Sequence, residues 1–438
     1  MSKIKATKGK EIPEGWEYVK IEDVFQAIDG DRGKNYPNEN DFLSNGHCLF
    51  LDTKNVTKKG FSFKKRKFIS NEKDNSLRNG KLVRNDIVMT SRGTIGNISL
   101  YDESVPFKNV RINSAMLILR PKNEGICNKY WIQLLRGKVL EEFIRKVKVG
   151  SAQPHITKKS LNSLKVLIPK CIEEQQKIAH ILTSVDDAIE KTEAIIEQTE
   201  EVKKGLMQQL FTRGVGHTKF KKTEIGEIPE EWEVHELGEV TSITRLAGAE
   251  YSDLWETREN GEIISLRGFN IGNNELVRLE EVERISESLS ERLIRSKLFE
   301  GDVVFPCVGT IGKAAVIREA NKYHINQNIA KITGHDKLEP DYIAYFLMSD
   351  ITLKQIIKYN TSSSQPNVLV GNLRKFVIST PPLEEQRKIV DIFINVDKKI
   401  KNEHQKHEQF KQVKAGLMQS LLTGKIRVKV DEPEVKQV

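Results

Sequence analysis

The chain has 438 residues, 38% of them hydrophobic and 30% charged, with a formal net charge of +9. It is too long for one ordinary core and too apolar for global disorder, so two to four folded units are expected. No run of eighteen apolar residues occurs and the N-terminus has no apolar signal core. Neither a membrane span nor a secretory leader is therefore expected, and a cytoplasmic location follows by default.

The four cysteines, Cys48, Cys127, Cys171 and Cys307, form no CxxC pair, which argues against zinc ribbons and redox motifs. The charge is uneven. Residues 1–170 hold 33 Lys and Arg against 18 Asp and Glu, a balance of +15, whereas 216–383 hold 20 against 25, a balance of −5. A basic half suits a polyanion such as DNA, but the acidic second half means that net charge alone decides nothing.

In chain order, a short strand follows Ile12-Pro13-Glu14-Gly15-Trp16-Glu17. A basic turn comes next, Arg32-Gly33-Lys34, then the basic run Lys64-Lys65-Arg66-Lys67 between Phe63 and Phe68. Residues 82–88 read as a turn and a strand. Past that strand stands Thr90-Ser91-Arg92-Gly93-Thr94-Ile95-Gly96, whose small residues suit either close approach to phosphate or simply a tight turn. Residues 115–119 form an apolar run fit for a buried strand, and 128–148 carry the pattern of an amphipathic helix. The polar loop Gly150-Ser151-Ala152-Gln153 follows. Short strands mixed with amphipathic helices predict a mixed α/β (α+β) class.

Beyond Pro169, residues 173–211 read as one long helix, with Glu173 and Glu174 in its first turn as the helix dipole favours. Steps of four and three from Ile178 reach Leu182, Val185, Ile189, Thr192, Ile196, Thr199, Lys203, Leu206 and Leu210, seven of the ten apolar. Arg213-Gly214 closes the helix.

The chain then starts again. Ile228-Pro229-Glu230-Glu231-Trp232-Glu233 repeats the opening motif, and Gly309-Thr310-Ile311-Gly312 repeats Gly93-Thr94-Ile95-Gly96. Ser363-Ser364-Gln365-Pro366 repeats Ser151-Ala152-Gln153-Pro154. Glu384-Glu385-Gln386-Arg387-Lys388-Ile389 repeats Glu173-Glu174-Gln175-Gln176-Lys177-Ile178, and Gly416-Leu417-Met418-Gln419 repeats Gly205-Leu206-Met207-Gln208. The offset drifts only from 216 to 211. Ordered matches at near-constant spacing mark a duplicated unit of about 210 residues, far longer than a solenoid repeat. Residues 30–80 and 245–300 share little, so a common scaffold carries divergent segments.

In the second copy 339–359 read as an amphipathic helix. The second long helix, stepped from Ile389, meets Phe393, Val396, Ile400, Glu403, His407, Phe410, Lys414, Leu417 and Leu421, again seven of ten apolar, and ends at Thr423-Gly424-Lys425. Two such seams predict a coiled coil, antiparallel if a two-fold axis relates the copies. At 1.5 Å per residue each helix spans roughly 55–60 Å, more than the turn of B-DNA at about 34–36 Å. The expected plan is globular segments over 1–170 and 215–382, helices over 171–214 and 383–426, and a tail over 427–438.

Arg pairs bidentately with guanine and Gln with adenine, whereas Lys clusters hold phosphate. On those grounds the candidate DNA-facing residues of the first copy are Arg32, Lys34, Lys64, Lys65, Arg66, Lys67, Ser91, Arg92, Thr94, Ser151 and Gln153. In the second copy they are Arg245, Arg267, Thr310, Ser363 and Gln365. No Walker A loop, dinucleotide fingerprint, HExxH or GxSxG occurs. Thr380-Pro381-Pro382-Leu383 is the nearest approach to the Asn/Asp-Pro-Pro-aromatic tetrad of an adenine methyltransferase, and its first and last residues are wrong. No catalytic residue, metal or cofactor is expected in this chain.

The order Ile-Pro-x-x-Trp, Gly-Thr-Ile-Gly, Ser-x-Gln-Pro, Glu-Glu-Gln-x-Lys-Ile and Gly-Leu-Met-Gln resembles the specificity subunit of Type I restriction–modification systems, twice over and across essentially the whole chain. The second copy departs at Cys307-Val308, where the first has Arg92. The resemblance implies two target-recognition domains reading a split, asymmetric site in double-stranded DNA, with an antiparallel coiled coil setting the gap. It also implies docking of two methyltransferase subunits and of restriction/motor subunits, with S-adenosylmethionine, ATP and Mg2+ on those partners. The competing readings are a fused Type IIG-like enzyme, and a non-catalytic coiled-coil DNA-binding scaffold outside restriction–modification.

Overall fold

The computed structural model describes residues 12–148, 155–246, 248–360 and 367–430. The chain forms two compact units, one of residues 1–192 and 406–438, the other of 193–405, so each long helix contributes a half to each unit.

The first unit is built on β1 (Trp16–Lys20), β2 (Phe25–Asp29), β3 (Cys48–Leu51), β4 (Phe68–Ile69), β5 (Asp86–Thr90), β6 (Ile98–Tyr101), β7 (Val110–Ile112), β8 (Met116–Pro121) and β9 (Lys165–Pro169). A four-stranded sheet runs β2-β8-β5-β6, all antiparallel, and a three-stranded sheet runs β4-β3-β7 with β3 and β7 parallel. β1 pairs with β9 and closes the ends of the segment together. Side chains of a strand point alternately to its two faces. Ile87, Met89, Leu117 and Leu119 accordingly pack on the helical side with Trp131, while Val88, Met116 and Ile118 pack against the three-stranded sheet. Both faces of the four-stranded sheet are covered, which is why 115–119 reads as an unbroken apolar run.

The second unit repeats the plan with β12 (Glu233–Glu236), β13 (Thr241–Arg245), β14 (Ile263–Leu266), β15 (Glu283–Ile285), β16 (Val303–Pro306), β17 (Ala315–Val316), β18 (Tyr323–Ile325), β19 (Ile329–Gly334) and β20 (Val377–Thr380), preceded by the hairpin β10 (Phe220–Thr223) and β11 (Gly226–Pro229). The sheets run β13-β19-β16-β17 and β15-β14-β18, with β12 on β20. Val303, Phe305, Ala330 and Ile332 face the helices and Val304 and Ile329 the smaller sheet.

The single helices expected over 128–148 and 339–359 are each two helices. Asn128–Leu135 is followed by Lys138–Lys148, and Pro340–Leu347 by Asp350–Tyr359. The apolar period runs through both breaks, so the pattern conceals them. What breaks the second is Ser349, whose hydroxyl donates to the Phe346 carbonyl and accepts the Thr352 amide, ending one helix and capping the next.

The long helices are Ile172–Arg213 and Leu383–Leu421. Gly214 and Gly424 follow them in left-handed backbone, φ +60° and +69°. A side chain there would also collide, with Trp232 and Glu385 at Gly214 and with Pro13 and Trp16 at Gly424.

Within each unit the helix halves pair antiparallel. In the first, Ile178 and Leu182 share a core with Leu421, while Asp186 accepts from Lys414 at 2.5 Å and Glu174 from Arg427 at 2.7 Å. In the second, Leu210 shares a core with Ile389 and Phe393, Asp397 accepts from Lys203 at 2.6 Å and Glu385 from the Val215 amide at 2.9 Å. In both, residue numbers rise along one helix as they fall along the other. Of the seam residues, Ile178, Leu182, Ile196, Leu210, Ile389, Phe393 and Leu421 are buried. Val185, Ile189, Leu206, Val396, Ile400, Phe410 and Leu417 are half-buried. Thr192 and Thr199 are buried too, their hydroxyls spent on the carbonyls of Ala188 and Ile195 four residues back. No helix is long and apolar enough to cross a membrane among the described residues.

Candidate nucleic-acid interface

In the four-stranded sheet of the first unit, β2 and β5 both run antiparallel to β8. They therefore run the same way, and the chain leaves both at one end of the sheet. The Ala115 carbonyl there accepts the amides of Ser91 and Arg92, at 2.8 and 3.2 Å, and the neighbouring Ser114 carbonyl accepts the Arg32 guanidinium at 3.2 Å. Two arginines remote in sequence are thus held on adjacent carbonyls, both side chains exposed. Ser91 is buried, with its carbonyl accepting the Ile156 amide at 3.0 Å, so of this turn Arg92 and Thr94 face solvent. The Thr94 carbonyl accepts the Thr90 hydroxyl, and Gly93 takes φ +70°, which closes the turn tightly.

The loop carrying Arg32 and exposed Lys34 is tied down by Asp31. Burial alone pushes the Asp31 carboxyl up, but the amides of Gly33, Arg78 and Asn79 donate to it and together hold it below the usual carboxylate range. Lys64, Lys65, Arg66 and Lys67 are exposed and lead into β4, on the smaller sheet. The Asn55 amide fixes the Lys65 carbonyl at 2.8 Å, and the Lys67 ammonium sits 4.9 Å from the centre of the Phe42 ring. Arg66 lines a cavity of 460 Å³ with His47 and Lys108. Those two residues carried no sequence signal, since each stands alone among uncharged neighbours.

The corresponding end of the second unit keeps the backbone scheme and changes the side chains. The Cys307 amide donates to Asn328 at 2.8 Å and the Cys307 carbonyl accepts the Val368 amide at 2.9 Å, as Ser91 does with Ala115 and Ile156. Burial pushes the Cys307 thiol up to about 11, so it is an inert part of the core at neutral pH. Val308, half-buried, replaces Arg92. Thr310 is exposed, and its hydroxyl donates to the Gly268 carbonyl at 3.0 Å. That bond brings it beside Arg267, which pairs with Glu283. Arg245 ends β13 and, through Ala330, lies in register with Phe305, one residue before the end of β16. Ser151, Gln153, Ser363 and Gln365 lie outside the described residues.

The chemistry on offer at these sheet ends is hydrogen-bond donation and positive charge. Among the described residues, no group of three His, Cys, Asp or Glu side chains is placed to hold a metal.

The chain matches the Type I restriction modification DNA specificity domain twice, over residues 13–201 and 229–412. It is 30% identical over 437 residues to the Type I restriction enzyme MjaVIII specificity subunit of Methanocaldococcus jannaschii, covering 97% of this chain and 96% of that one. The putative type I restriction enzyme MjaX specificity subunit of the same organism is also 30% identical, over 97% of each chain. The crystal structure of the Type-I restriction–modification S subunit from M. genitalium shares the fold, with a TM-score of 0.54 at 14% identity over 96% of this chain and 99% of that one. The chain belongs to the family of Type I restriction–modification DNA specificity subunits, which recognise targets and are not themselves catalytic.

Proposed function

We propose that this subunit reads a split, asymmetric site in double-stranded DNA, one half with each unit, and sets the gap between halves with its long helices. The observation that carries the reading is the pairing of a shared backbone anchor with changed side chains. Ser91 and Cys307 make the same pair of backbone hydrogen bonds, yet the residues that follow them, Arg92 and Val308, present different groups. Two scaffolds alike in backbone and unlike at one sheet end suit two readers of two sequences. The helices then serve two methyltransferase subunits as a dock, and restriction/motor subunits join the assembly. S-adenosylmethionine, ATP and Mg2+ belong to those partners, and the reaction on chromosomal DNA places the complex in the cytoplasm.

The test is methylome sequencing of cells expressing the chain with its methyltransferase subunit. The expected result is a methyladenine motif in two parts with a fixed gap, present only with this chain. Exchange of residues 20–150 for those of a relative changes one half-site and leaves the other. A change in both halves defeats the two-reader scheme, and no new motif with an active methyltransferase defeats the reading as a whole.

A further inference from the structure

The second unit contains a cavity of 510 Å³ lined by Arg245, Arg295 and Arg374, with Ile243, Val370 and Gly371 among its other walls and no carboxylate in its lining. It opens beside the end of β13, the sheet end at which the turn after β16 also stands. The Arg374 guanidinium donates to the Ile243 carbonyl at 2.9 Å, which fixes one arginine as a wall. Arg295 is exposed, its nearest carboxylate Glu250 at 3.9 Å and outside the lining. Arg245 is half-buried.

The first unit has nothing of the kind at the equivalent places. Asp29 ends β2 as Arg245 ends β13. Asn79 stands two residues before Lys81, which bridges Arg111, as Arg295 stands two before Lys297, which bridges His324. Asn162 follows buried Leu161 as Arg374 follows buried Leu373. Three positions that carry −1 in the first unit carry +3 in the second, although 216–383 are net acidic overall. Three guanidinium groups share a cavity whose lining holds no carboxylate, Glu250 reaching Arg295 from outside it at 3.9 Å, and an anion in the cavity would offset their mutual repulsion. A phosphodiester matches the planar fork of each. The second unit has lost the cation of its turn, Val308 standing where the first has Arg92. The arginine cavity restores positive charge to the same sheet end by another route.

We propose that Arg245, Arg295 and Arg374 form the backbone-phosphate clamp of the second recognition unit, seating the phosphodiester chain of the duplex while the neighbouring turn reads bases. The proposal rests on the reading of the chain as a DNA-recognition subunit. It assigns to the clamp affinity and register, not sequence preference.

The experiment measures binding of the purified full chain to a duplex of mixed sequence over a salt series. The probe variant is Arg245→Ala with Arg295→Ala, which leaves the structural bond of Arg374 intact. Its control is Arg258→Ala with Lys322→Ala, which removes equal charge at the other end of β14 and β18. Each phosphate contact contributes about 0.9 to the slope of log affinity against log salt, so the probe variant lowers the slope by about two and the control does not. A slope no lower than the control's overturns the clamp. In that case Arg32→Ala with Arg92→Ala, in the first unit, separates the outcomes. A lowered slope there retains DNA recognition without this clamp, and no duplex binding by any form of the chain overturns both.

Discussion

Asp74 and Arg111 are buried together in the first unit, the Arg111 Nε 2.5 Å from the Asp74 carboxylate, with Lys81 on its other oxygen at 2.6 Å. The equivalent places in the second unit hold Ser290 and His324, so polar groups stand where the first unit has an ion pair. A buried charge robbed of its partner is costly. Asp74→Ala therefore destabilises the first unit by about 3 kcal/mol, read by urea unfolding, whereas Ser290→Ala changes the second by less than about 1 kcal/mol. Burial pushes the Asp74 carboxyl up, but the bonds and charges of Lys81 and Arg111 outweigh it and hold it below the usual range. The stability it confers is thus complete at neutral pH and lost as pH falls below the ordinary aspartate value, near about 4. His324 behaves at a different pH. Burial lowers its imidazole, against the opposing pull of the Ile325 and Leu293 carbonyls. The folded value lies below the unfolded one, so stability is whole above about 6.5 and falls as acid protonates the unfolded ring first. Melting of the second unit drops between neutral and mildly acidic pH, and His324→Asn flattens that drop. An unchanged slope in the variant assigns the acid sensitivity elsewhere.

At the level of the elements, each unit has a latch of its own. Asp186 accepts from Lys414 across the helix pair and from Gln133 of the globular part at 2.7 Å. Asp397 accepts from Lys203 and from the Tyr345 hydroxyl at 2.8 Å. Each carboxylate ties two helices to one domain, and its offset from the other is 211 residues. An apolar seam alone tolerates sliding by a heptad, and one polar pair at a seam specifies register. Asp186→Ala and Asp397→Ala each cost about 1–2 kcal/mol, since both pairs are only partly buried. Hydrogen exchange locates the loss: protection falls along the helix half and the adjoining domain of the unit carrying the substitution. Loss spread evenly through both units contradicts a local latch.

For the whole molecule, the proposed role of the long helices in setting the gap makes a numerical demand. A matched removal of seven residues from each, 193–199 and 401–407, keeps the heptad and the pairing of the retained halves. It shortens the pair by roughly 10 Å, or about three base pairs, and methylome sequencing then returns both half-sites unchanged with a gap shorter by about three. An unaltered gap separates the helices from the spacing.

The duplication, both long helices, the seams and the mixed α/β class were legible in the chain because each rests on local spacing: a seven-residue alternation, a Gly past a helix end, a motif repeated at an offset of 211 to 216. The break at Ser349 was not, because a capping serine inside an amphipathic pattern leaves the period intact. The basic turn at Arg32 and the turn at Arg92 were each legible, but their meeting on the carbonyls of Ser114 and Ala115 was not. Nor were the gathering of Arg245, Arg295 and Arg374 around one cavity and the pairing of Asp186 with Lys414. Local sequence determined which segments are strands, helices and turns, since hydrogen bonding and side-chain period act over a few residues. Tertiary structure decided which turns share a sheet end, because strand order and register bring together residues whose separation along the chain carries no record of it.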